Sequence, residues 1–123
     1  MATTVLAPVS VGELVDKITI LQIKVEKIAD TYALVNILNE LVQLKKIQVT
    51  PEPRAENVTE LRKVNEELWE VEDRLRVLEK LKEFDEEFIA LARSVYILND
   101  KRARIKREIN LFSGSDIVEE KSY

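Results

Sequence analysis

A chain of 123 residues, 34 % charged and 46 % hydrophobic with two glycines and three prolines, is long enough to bury a helical core and too apolar to remain disordered. Its net charge of −4 gives no overall attraction to nucleic acid or to an anionic membrane. The lack of cysteine excludes disulfides, thiolate catalysis and zinc–cysteine sites, and the lack of histidine removes the commonest general base and helical di-iron sites built on Glu-x-x-His.

The N-terminal MATTVLAPVSVGEL has neither the basic start nor the continuous apolar core of a signal peptide. No run approaches the roughly 20 apolar residues that span a bilayer, so the expectation is a cytoplasmic protein with no membrane partner. Asn57-Val58-Thr59 has the form of a glycosylation sequon but no secretory context.

Residues 1–9 read as an extended leader, and the whole of 1–123 as one helical domain. Ser10-Val11-Gly12-Glu13 has the form of a capping box, with Ser10 accepting from the Glu13 amide and the Glu13 carboxylate reaching back to the Ser10 amide. Val11, Leu14, Ile18, Leu21, Val25 and Ile28 follow in 3-4-3-4-3 steps, a coiled-coil-like seam. Ile20 and Ile23 widen that face, which implies a central helix or one with two neighbours. Asp30-Thr31 offers a new N-cap, so residues 10–48 divide into two helices, the second over 32–48 with Leu34, Ile37, Leu38, Leu41, Leu44 and Ile47. Pro51 and Pro53 forbid a helix through the linker 49–56.

Asn57, with Glu60 three residues on, reads as the next helix start. The third helix repeats the seam with Leu61, Val64, Leu68, Val71, Leu75 and Leu78, and frays near Lys82–Phe84, where Asp85 can cap the fourth. That fourth helix carries Phe88, Leu91, Val95, Leu98, Ile105, Ile109 and Phe112 in the same steps, with Arg102 standing in one slot of the seam. Gly114 suits a left-handed helix ending, and 113–123 form a short tail. The short join makes 57–112 a long antiparallel hairpin. Glu66 to Glu87 carry ten acids and four bases, Arg93 to Arg107 six bases and one acid, so the two helices are expected to attract side by side. The fold class is therefore all-α: four helices in two antiparallel hairpins with coiled-coil-like heptad packing.

Two segments, Ser10–Ile28 (SVGELVDKITILQIKVEKI) and Leu91–Tyr123 with its ARSVY, NDKRA, KREIN and EEKSY stretches, are joined by Leu68-Trp69 and Glu72-Asp73. Together they resemble a family of small, uncharacterised helical proteins of bacteria, cyanobacteria and their phages. The resemblance covers nearly the whole chain and carries over no established activity, so it implies kinship and not chemistry. It implies that the start of the first helix and the C-terminal block form one functional unit. Ile97 and Leu98 stand where more polar residues are expected of that family.

Arg102 carries the sharpest chemical signal, because a buried arginine must be satisfied by a carboxylate and further hydrogen bonds. It reads as an anion-binding residue supported by Tyr96, Asn99, Asp100, Lys101 and Lys17, as a register device paired to an acid of the first or third helix such as Glu72, or as a side chain snorkelling from a widening bundle end. Glu13, Asp16, Lys17 and Thr19 at the start of the first helix read either as a ligand-binding cluster or as a capped, solvated helix start. Glu66-Glu67-Leu68-Trp69-Glu70 followed by Asp73 resembles half of the magnesium site of all-α nucleotide pyrophosphohydrolases, with Glu67, Glu70 and Asp73 as weak metal candidates. Its second half would have to come from Glu83–Glu86, which does not match. A chorismate-mutase-like pocket would need Lys17 or Arg76 to converge on Arg102. Lys101–Arg107 lacks interleaved aromatics, which argues against nucleic acid, and Gly12 and Gly114 make no phosphate loop.

The leading expectation is a non-enzymatic interaction or adaptor protein without a cofactor, self-associating through apolar faces that include Ile20, Ile23, Val35, Val42, Trp69 and Ile97, or binding a protein partner. The alternative is a small-anion enzyme or sensor at Arg102, with Mg²⁺ in its pyrophosphohydrolase form. In the scaffold reading Arg102→Leu is tolerated.

Overall fold

Apolar residues at steps of three and four build two long helices, α3 (Ala55–Leu81) and α4 (Glu86–Ser113), which pair as an antiparallel hairpin. The computed structural model describes residues 3–121, and the shorter helices in it are α1 (Val11–Lys27) and α2 (Thr31–Lys45). All four helices expected from the periodicity are present, with no strand among the described residues. Helix α1 touches α2, α3 and α4, whereas α2 packs on α1 alone. The second hairpin is thus hung on the first through one helix.

The helix ends mix expected and unexpected chemistry. Asp30 caps α2 by accepting from the amides of Tyr32 and Ala33, and Asp85 caps α4 by accepting from Phe88 N. Gly114 takes the left-handed conformation (φ 65°) that a glycine tolerates, and the Ser115 amide bonds the Asn110 carbonyl. Helix α3 starts earlier than its sequence suggests. Arg54 is the N-cap, without a side-chain cap bond, and Asn57 is a buried residue inside the helix that donates to Glu108 (3.2 Å) and accepts from Arg54 Nε. The linker is correspondingly shifted to residues 46–54, because α2 stops at Lys45 rather than at 48.

The apolar core lies where three helices meet: Val15 of α1, Leu61, Val64 and Leu68 of α3, Ile105 and Ile109 of α4. Toward the hairpin turn only two helices remain. Among residues 70–100 one side chain, Leu78, is buried, while Val77, Leu81, Phe84, Ile89 and Ile97 stand exposed. Phe84 and Phe88 pack edge to face at the turn, their ring centres 5.1 Å apart.

The docking face of α1 departs from its most visible pattern. Gly12, Val15, Asp16, Thr19 and Ile23 are buried and share one side of the helix at 3.6 residues per turn, and that side meets α3 and α4. Of the expected seam, Val11 packs against the core, whereas Leu14, Ile18, Leu21, Val25 and Ile28 lie on the opposite side, the one left to α2. Ile23 is buried in the interior, Ile20 and Trp69 are half-buried, and Val35, Val42 and Ile97 remain on the surface.

Candidate functional site

The face of α1 that meets the long hairpin carries a glycine, an aspartate and a threonine, so its contacts are largely polar. Asp16 is fully buried. Its Oδ1 accepts from Asn65 Nδ2 of α3 (2.9 Å) and from Arg102 Nε of α4 (3.0 Å). Its Oδ2 accepts from Arg102 Nε (3.2 Å) and Nη2, so the carboxylate is gripped by two nitrogens of the guanidinium. Thr19 Oγ1 donates to the Asp16 carbonyl (2.8 Å) and accepts from Asn65 Nδ2 (3.0 Å). Arg102 Nη1 makes a longer bond to Asn99 Oδ1 (3.4 Å). The hydrogen bond to Asp16 pushes the Arg102 pKa up, against the opposing effect of burial. An aspartate without solvent is tolerable here because both carboxylate oxygens accept from nitrogen donors, one of them a charged guanidinium.

One turn along α4, Lys106 Nζ meets Glu13 Oε2 at 2.5 Å and lies 3.8 Å from Asp16 Oδ2. One turn further, Asn110 Oδ1 accepts from the Gly12 amide (2.6 Å). A Cβ at Gly12 would fall 2.5 Å from the Lys106 carbonyl oxygen, so α1 and α4 approach to a distance that only glycine permits. The first amides of α1 are each met by a side chain: Val11 by Ser115 Oγ (3.2 Å), Gly12 by Asn110 and Glu13 by Ser10 Oγ (3.0 Å). Only half of the expected capping box forms. The Glu13 carboxylate turns to Lys106, and it is Glu119 of the tail that accepts from the Ser10 hydroxyl (2.8 Å) and from Asn110 Nδ2 (3.3 Å).

The tail therefore folds back along α4 as a strap. Glu120 pairs with Arg107 (2.5 Å) and Lys121 with Asp100 (2.6 Å). Burial works against ionisation of Glu119. Hydrogen bonds from Ser10, its own backbone and Asn110, with the Lys106 charge, prevail and hold its pKa below the usual carboxylate value. Beside the strap an open cleft of about 790 Å³ runs along α4, lined by Tyr96, Asn99, Arg102, Lys106, Asn110 and Glu119 among others. A smaller one of about 250 Å³ lies between Ile20, Asn65, Trp69 and Glu72, and Arg102 borders both.

Of the residues singled out in the sequence, Arg102, Asn99, Asp16 and Glu13 converge, and Tyr96 and Asp100 line the larger cleft. Lys17 and Lys101 point to solvent. Glu13 and Asp16 share Lys106 between them, and Asp16 is also held by Arg102. Of the acids expected on the first or third helix, Arg102 pairs with Asp16 of α1, which its helix position faces across the junction, and Glu72 of α3 makes no ion pair with it. The basic run of α4 is likewise matched mainly by α1 and the tail, not by the acids of α3; from α3 it receives Glu60, 3.9 Å from Arg104. Glu67, Glu70 and Asp73 are exposed on α3, and among the described residues no three acids converge to hold a metal ion. Asp85 is spent on capping α4, and Arg76 and Lys17 do not join Arg102.

Thr19 apart, the cluster's other members, Gly12, Asn65, Lys106 and Asn110, escaped a reading built on apolar periodicity. The signal available was an asparagine beside an apolar seam residue, in Val64-Asn65 and Ile109-Asn110, where a helix interior gives asparagine no advantage of its own.

An all-α protein whose two hairpins are clamped by a buried polar cluster is the class that this geometry defines. The chain belongs to a family of unknown function (DUF6165), whose model matches residues 5–123. No curated protein and no solved structure matches it. Among the described residues no helix is long and apolar enough to cross a membrane.

Proposed function

We propose that the protein is a non-enzymatic helical interaction module that associates with itself, acting in the cytoplasm as a scaffold or adaptor. The observation that carries this reading is α2: it contacts only α1, buries none of its residues, and leaves Tyr32, Val35, Leu38 and Val42 in water. A helix so apolar and so little covered is an incomplete interface. The candidate reactive groups support the same conclusion, because Arg102 and Lys106 are committed to Asp16 and Glu13. Sedimentation velocity from low to high micromolar concentration is the test. A concentration-dependent rise from monomer to dimer is the expected result, and a monomer throughout removes the proposal.

The larger cleft favours a second reading, a site for a small carboxylate or phosphate beside Arg102 Nη1, whose bond to Asn99 is long. A thermal-shift screen of nucleotides, phosphorylated metabolites and dicarboxylates, each with and without Mg²⁺, addresses it. A ligand at 100 times its Kd raises stability by roughly 2.7 kcal/mol, a shift of several degrees for a domain of this size. A flat panel removes this reading.

A further inference from the structure

The exposed side of α2 has a spacing of its own. Thr31, Val35, Leu38, Val42 and Lys45 follow in steps of four, three, four and three, the repeat of a coiled-coil seam. Val35, Leu38 and Val42 are 63 %, 45 % and 53 % exposed, whereas Leu34, Ile37, Leu41 and Leu44, on the side toward α1, are half-buried. The helix holds one acid, Glu40, and one base, Lys45. Its ends are oppositely charged, with Asp30 at the N-cap and Lys45-Lys46 at the close.

Resting on the self-association reading, we propose that the occupant of this stripe is α2 of a second copy, packed antiparallel. Antiparallel pairing sets Val35 beside Leu38 of the second copy and Val42 beside its Thr31, twice over by symmetry. It also brings the basic end of each helix to the Asp30 end of the other and opposes the two macrodipoles. Parallel pairing would stack Lys45 on Lys45 and Asp30 on Asp30. A near-neutral stripe with complementary ends matches itself, and a strongly charged partner would gain nothing from it. The hairpin turn is a poor place for the same contact. Glu79–Ile89 carry five acids, Glu79, Glu83, Asp85, Glu86 and Glu87, against Lys80 and Lys82, so two copies meeting there would repel. One helix per copy makes a small interface, below the ~1,200 Å² of standard complexes, and the association is expected to be weak and reversible.

The chain contains no cysteine, so single cysteines report cleanly. Thr31→Cys and Val42→Cys proteins, one carrying a size tag, are mixed under mild oxidation. The expected product is a mixed cross-linked dimer, with no cross-link in either protein alone, because like positions then lie about 16 Å apart along the axis. Cross-links between like cysteines would overturn the antiparallel arrangement, and no cross-link in any combination would overturn the α2 assignment. Sedimentation of Leu38→Glu, with its helicity checked by circular dichroism, separates this inference from the broader one. Its dimer is expected to weaken roughly tenfold or more. A dimer that survives Leu38→Glu unchanged sinks the α2 contact while leaving self-association standing, and a monomeric wild type sinks both.

Discussion

The junction of α1, α3 and α4 and the outer arm of the α3–α4 hairpin have similar apolar seams yet are built on different terms. At the junction a third helix covers the seam, and a buried Asp16–Arg102 pair with Asn65 and Thr19 sits beside aliphatic side chains exposed by no more than 8 %. In the arm the same 3-4 spacing meets only one other helix, so Val71, Leu75 and Leu91 stay half-buried. A heptad seam specifies a neighbour. The polar residues interleaved with it decide how α1 is placed.

The largest expected effect falls at the junction. Arg102→Leu strands a carboxylate that has no solvent and should cost about 3 kcal/mol in urea unfolding. That is the opposite of the tolerance to Arg102→Leu expected with the scaffold reading. The double variant Asp16→Leu/Arg102→Leu should recover most of the loss, since no buried charge is left alone. If the single variant is as stable as wild type, the junction is not held by this pair. In the arm, Leu78→Ala removes its one buried side chain and should cost about 2 kcal/mol, the lower end for core leucines because two helices relax more easily than three.

Gly12→Ala sharpens the comparison, because it adds a methyl group where α1 touches the α4 backbone. The expected loss is about 1–3 kcal/mol by thermal unfolding, an overpacking cost that no arm position should reproduce. Lys82→Gly acts in the opposite sense. Lys82 holds φ 57° at the end of α3, so glycine there should raise stability by about 0.5–1 kcal/mol. The smallest effect is a pH dependence. The folded pKa of Glu119 lies below its unfolded value, so the ionised group adds stability above about pH 4.3 and loses that contribution as the pH falls toward the folded pKa. Acid titrations of Glu119→Gln should show a shallower loss of stability over that interval, and an unchanged slope would mean that the strap is not held by this carboxylate.

The family resemblance read from the sequence agrees with the family model that matches residues 5–123, and the two terminal segments meet in space. Ser10, Gly12 and Glu13 meet Lys106, Asn110, Ser115 and Glu119 in one hydrogen-bonded group. Of the candidate site, Arg102, Asp16, Glu13 and Asn99 were visible because charge within a seam or beside a cap is conspicuous. Asn65, Lys106 and Asn110 were not. Their surroundings come from helices distant in the sequence, and local spacing carries no record of which helix will face them.

Periodicity, capping residues and two prolines determined by themselves that this chain makes four helices in two hairpins, because each depends on neighbours within about one turn. Which side of α1 meets the hairpin was settled only in three dimensions. The more apolar side, with Leu14 and Leu21, was left to α2, while the side with Gly12, Asp16 and Thr19 docked against α3 and α4. The reason is physical: a small residue allows close approach, and a buried carboxylate binds only where an arginine and an asparagine on two other helices arrive together.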